Sequence, residues 1–159
     1  MSTFDPAAFE QMTIDQANET KSTPVPEGDY TAIVDSAAVH GVEIKSGERA
    51  GQTVPVLQVI YHLQDDDGKL KKLLNRDKVT VRDDVWLDLT ESGALAFGPN
   101  QNVRLGKLRE ACNLNKPGKP FTMKMLEGQG PVAISVTQIT DKNDSTIVYN
   151  RVARVGKAS

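Results

Sequence analysis

The sequence predicts a mainly β domain with one helix late in the chain. Stretches of period-two apolar alternation recur from Gly28 onward, one segment around Leu105 has the spacing of a helix, and breaks rich in glycine, proline and acids separate them. At 159 residues, 38% hydrophobic and 25% charged, the chain has the size and composition of one globular domain able to bury a core.

The opening "FDPAAFEQMTIDQANETKSTPVPEG" offers Asp5 as a helix N-cap, Pro6 at the first helical position, and Phe9 and Met12 three residues apart. A short helix is expected there. Pro24, Pro26 and Gly28 then disfavour regular structure, so residues 1–27 read as an acidic arm, flexible or partly helical. Residues 1–29 carry six acids against Lys21 alone, a net charge of -5 in a chain of net -2, which leaves the remainder at +3. A mildly basic body permits a polyanionic partner.

"YTAIVDSAAV" puts Tyr30, Ala32 and Val34 on one side of a first strand, and "HGVEIKSGERAGQT" reads as a loop. "VPVLQVIYHLQ" follows as a second strand, with Leu57, Val59, Tyr61 and Leu63 on one face and Gln58 and His62 on the other. Asp67-Gly68 predicts a hairpin turn, because a type I' turn needs positive φ values that Asp and Gly tolerate. A calcium loop is the alternative for the acidic triplet Asp65 to Asp67. Gly68 comes too early for the EF-hand spacing, however, and no glutamate stands at the bidentate position.

The third strand should leave that turn. Val79, Val81, Val85, Leu87 and Leu89 share one parity, whereas Lys72, Arg76, Lys78, Thr80, Arg82 and Trp86 share the other. A bulge at Asn75 to Asp77 would detach Lys72 from this set. Next, "GPNQNVRLGKLREACNLNKPGKP" predicts a helix over residues 102–113, with Leu105, Leu108, Ala111 and Cys112 as its stripe, Asn100 or Asn102 at its start and Asn113 with Pro117 at its end. "PVAISVTQIT", the turn "DKNDST" and "IVYNRVARV" close the chain as a hairpin. Three strands, a helix and two strands are the element order of an OB-like, five-stranded Greek-key barrel, here over residues 28–156.

Catalytic constellations do not emerge. His40 and His62 lie apart without His or Cys neighbours, Cys112 sits on the apolar side of its helix, and Asp83 and Asp84 point to opposite faces of a strand. Gly128 and Gly130 lack the third glycine and the helix of a dinucleotide site, and "LGKLR" is not a phosphate loop. The expectation is a protein that is not an enzyme and needs no cofactor or metal. A membrane location is not expected either, because neither a signal peptide nor about 18 consecutive apolar residues occurs.

The cationic face is the stronger signal. Single-strand binders use lysines and arginines to track phosphates and flat rings to stack bases. Lys78, Arg82 and Trp86 combine the two, with Lys72 and Arg76 before them and His62 on the outward face of the neighbouring strand. Lys45 and Arg49 in the first long loop, and Lys142, Arg151 and Arg154 around the last hairpin, would rim the same groove of an OB-like barrel. Exposed cationic strands also serve only as solvated faces, and single tryptophans are commonly packed, so a core role for Trp86 stays open.

"PVPEGDYTAIVDSA" and "LGKLREACNLN", with the leader "FDPAAFEQMTIDQANET", resemble phage-encoded, OB-like single-stranded DNA-binding proteins associated with replication and recombination. The resemblance implies DNA binding without sequence preference, no cofactor, and action in the host cytoplasm. Single-stranded DNA is the implied partner, with RNA, replication or recombination proteins and a homo-oligomer left open. The chain ends in "RVARVGKAS" rather than the acidic tail many such proteins carry. A phage structural or protein-interaction module is the alternative reading.

Overall fold

In the computed structural model, which describes residues 3–158, five antiparallel strands form one open sheet in the order β3-β2-β1-β4-β5. Met1 and Ser2 of the expected arm and the final Ser159 lie outside the described residues. The strands are β1 (Gly28–Glu43), β2 (Thr53–Leu63), β3 (Thr80–Trp86), β4 (Val132–Thr140) and β5 (Val148–Lys157). Helix α1 (Pro6–Glu10) lies in the arm, α2 (Lys69–Leu74) between β2 and β3, and α3 (Val103–Ala111) between β3 and β4, before a 3-10 turn at Met123–Leu126. No helix among the described residues is long and apolar enough to cross a membrane.

The alternation read along the chain sets the core. Leu57, Val59, Tyr61 and Leu63 of β2 are at most 1% exposed, and Ala32 and Val34 of β1, Val81 and Val85 of β3, and Val132, Ile134 and Val136 of β4 join them. Each fully buried valine, leucine or isoleucine among them contributes about 1.5–3 kcal/mol. Leu105 and Leu108 of α3, with Cys112 at its C-terminal cap, cover this layer, and burial lifts the Cys112 thiol to about 11, as befits an inert structural cysteine. Asn113, at φ 59, adopts the left-handed conformation just past the end of α3.

The expected barrel is not closed. β3 and β5 are the two free edges, and no ladder joins them. The expected Asp67-Gly68 hairpin is also corrected. Gly68 does take a positive φ of 73°, but the chain then enters α2 instead of a strand. Asp65 accepts hydrogen bonds from the Leu70 and Lys71 amides at 3.1 and 2.9 Å, and Asp67 accepts one from Lys69 at 3.1 Å. "KLKKLL" consists of good helix formers, Leu70 and Leu74 meet the core one turn apart, and Asn75 at φ 53 ends the helix. Lys72 is therefore on a helix and Arg76 just beyond it, neither on β3. The body thus carries more than the single expected helix.

Two further differences concern the ends of elements. β1 extends through His40 to Glu43, pairing Glu43 with Thr53, so the first loop shortens to residues 44–52. Leu89, expected inside, is 44% exposed beyond the end of β3. In the arm, Asp5 accepts from the Ala7 and Ala8 amides as a cap, and none of α1 is buried. Packing begins later: Val25 is 3% exposed, its amide donates to Asn150 Oδ1 at 2.8 Å, and its carbonyl accepts from Asn150 and Gln138.

Candidate nucleic-acid interface

The two free edges of the sheet face one another across Arg104. This residue leaves the first turn of α3, and its Nη2 donates to Asp83 Oδ2 of β3 at 2.6 Å and to the Val152 carbonyl of β5 at 3.2 Å. Its Nη1 reaches the Asp84 carbonyl at 3.4 Å. One guanidinium thus supplies donors to both edges where no ladder exists. Asp83 occupies a core position of β3 and is 6% exposed; burial raises its pKa, while Arg104 partly offsets the shift.

On the outer side of this seam runs an open groove of about 590 Å³, lined by Arg82, Trp86, Arg104, Ile139, Tyr149 and Arg151 among others. Trp86 is 55% exposed and Tyr149 45%, so two aromatic rings stand in solvent on opposite walls, one from each edge strand. The core alternative for Trp86 is thereby excluded. The even-numbered positions of β3 lie opposite the buried Val81, Asp83 and Val85, with Arg82 and Trp86 exposed. Thr80 and Trp86 both line the groove, so it follows the whole of β3, about 20 Å at 3.3 Å per residue.

Arg82 is held by Asp84 of the same face at 3.2 Å, whereas Arg151 forms no ion pair among the described residues. A second cavity of about 540 Å³ continues the seam on the side of α3, sharing Asp83, Arg104 and Arg151 with the groove and adding Lys107, Arg154 and Lys157. A bulge in β5 opposite Ser135 and Val136 inserts Ala153, and Arg154, three residues after Arg151, lines the same cavity. Six cationic residues against Asp83, Asp84 and Glu110 line the two cavities together. The seam is cationic and carries two rings.

Of the residues expected from sequence, Arg82, Trp86, Arg151 and Arg154 converge here. The others do not line either cavity. Lys78 is turned to β1, donating to Asp35 at 2.8 Å at the bulge beside Val34. His62 is half-buried beside Thr80, Lys45 and Arg49 lie in the first loop with Arg49 Nε on Gln52, and Lys142 sits in the β4–β5 turn. Lys72 and Arg76 belong to the α2 segment. Sequence reading missed Tyr149, Arg104 and Asp83. Only Asp83 left a signal: a carboxylate between Val81 and Val85 demands a buried partner.

Compared with known proteins, the chain matches no family model, no curated protein and no solved structure.

Proposed function

We propose that the seam between β3 and β5 binds single-stranded nucleic acid without sequence preference. The observation that carries this reading is the pairing of Trp86 and Tyr149, both exposed, across a groove furnished with Arg82, Arg104 and Arg151. Each base stacked on an aromatic ring contributes about 1–3 kcal/mol whatever the base, because every base has a π face. The guanidinium groups meet phosphates and release condensed counterions. We also read the sheet as OB-like. The strand order β3-β2-β1-β4-β5, with the two edges bridged by Arg104, supports that reading. In the setting implied by the resemblance, the protein coats and protects single-stranded DNA during phage replication or recombination in the host cytoplasm.

Fluorescence anisotropy with labelled single strands and duplexes across a salt series tests this. Single strands should bind more tightly than duplexes, with log affinity falling linearly in log salt. Arg82→Gln with Arg151→Gln should flatten that slope by about 1.4, at about 0.7 per lost contact on a single strand. Equal affinity for duplex and single strand, or an unchanged slope in the double variant, counts against the groove and in favour of a structural or protein-docking module.

A further inference from the structure

Beyond the seam, the molecule carries a second surface of the same chemistry. The segment around α3 leaves Phe97 80% exposed, the most exposed large apolar side chain among the described residues. Phe97 lines a cavity of about 730 Å³ together with Arg109, Lys116, Lys119 and Phe121. Among the described residues, no carboxylate lines it. Arg109 is fixed there, its guanidinium 4.1 Å from the centroid of the Phe121 ring and its Nε donating to the Leu114 carbonyl at 3.2 Å. Lys116 and Lys119 flank the Pro117-Gly118 turn, exposed and without an ion pair among the described residues.

This surface is continuous with the seam. An intermediate cavity of about 440 Å³ shares Phe97 and Arg109 with it, and shares Lys107 and Glu110 with the cavity beside Arg104. A path therefore leads from the Trp86–Tyr149 groove, over Arg104 and Lys107 on α3, to Phe97 and the two lysines. Glu110 is the one carboxylate on its α3 portion. An exposed ring beside three cations with no ion pair among the described residues suits a stacked base with its phosphates.

We infer that this path is a second contact segment for the same nucleic-acid strand, which leaves the seam and wraps across α3 to stack a base on Phe97 and place phosphates at Arg109, Lys116 and Lys119. The inference rests on the proposed function and extends its footprint. A short strand fills the seam alone; a longer one gains the second segment.

The test compares oligonucleotides of about 5 and about 16 nucleotides, within the range one such domain covers. The triple variant Phe97→Ala, Lys116→Ala, Lys119→Ala changes only exposed side chains. It should bind the short strand like the parent and the long strand more weakly, by about 5- to 150-fold for the lost stack alone, with a salt slope lower by about 1.4 for the two lysines. If the parent binds the short strand but the triple variant binds both lengths as the parent does, the extension falls and the groove stands. If the parent binds no short strand, the groove reading fails and this inference with it. A triple variant that loses self-association rather than long-strand affinity assigns the surface to a second copy of the chain and overturns the inference.

Discussion

Replacing Arg104 by Met isolates what holds the open seam. Met keeps the apolar stem and removes the hydrogen bonds to Asp83, Val152 and Asp84, leaving the Asp83 carboxylate buried without its cation. Breaking a wholly buried pair costs about 3–5 kcal/mol. The Arg104 side chain is 46% exposed, so solvent screening lowers the expected loss to about 2 kcal/mol near neutral pH. In a domain of this size, that is a fall in Tm of about 4–8 °C. The pH dependence has a definite sign. Burial already holds Asp83 above the usual carboxylate range, and loss of Arg104 raises it further, while the unfolded value stays near about 3.9. Between the two values the folded variant binds the proton more tightly than the unfolded chain, so its stability falls as pH rises through the folded pKa and returns as pH drops. Urea denaturation followed by circular dichroism should show the gap between parent and Arg104→Met widest near pH 7 and narrower toward pH 4. A gap of equal size at both ends, or none at pH 7, refutes the assignment of Arg104 as the counter-charge of Asp83.

Other expectations are separable. Trp86→Ala and Tyr149→Ala should each weaken single-strand binding by about 1–3 kcal/mol with the salt slope nearly unchanged, because a ring displaces no counterions, and should leave the urea midpoint in place, since both rings are exposed; a lowered urea midpoint in either variant, or unchanged affinity, would refute the stacking role of that ring. A chain beginning at Pro24 should keep the parent Tm, whereas one beginning at Glu27 loses Val25 and should be less stable by about 2–3 kcal/mol, as thermal melts of the two would show. Tyr61→Phe should raise stability by about 1 kcal/mol in urea titration, because the buried Tyr61 hydroxyl has no partner among the described residues; a loss would mean that the hydroxyl is paired.

Much of the architecture was legible because alternation is local. The inward set of β2, the onset of the sheet at Gly28, the stripe of α3 and the final hairpin all follow from which residues share a face. The same rule failed where the period was carried across a break. Reading Lys72 and Arg76 in phase with Arg82 ignored that Asp65 can cap "KLKKLL" into a helix, and a two-residue turn signal says nothing about six residues beyond it.

The sequence by itself determined that Arg82 and Trp86 lie on one side of a strand and Val81 and Val85 on the other, since the pleat fixes that parity. Tertiary structure alone decided what each side meets. Nothing local distinguishes an outward tryptophan that is covered from one that is bare, and nothing in "IVYNRVARV" announces that Tyr149 stands across a groove from Trp86. That depends on how the β4–β5 hairpin folds back toward β3 and on Arg104, 21 positions from Asp83, filling the space between the edges. Such encounters are long-range, and a periodicity of two carries no information about them.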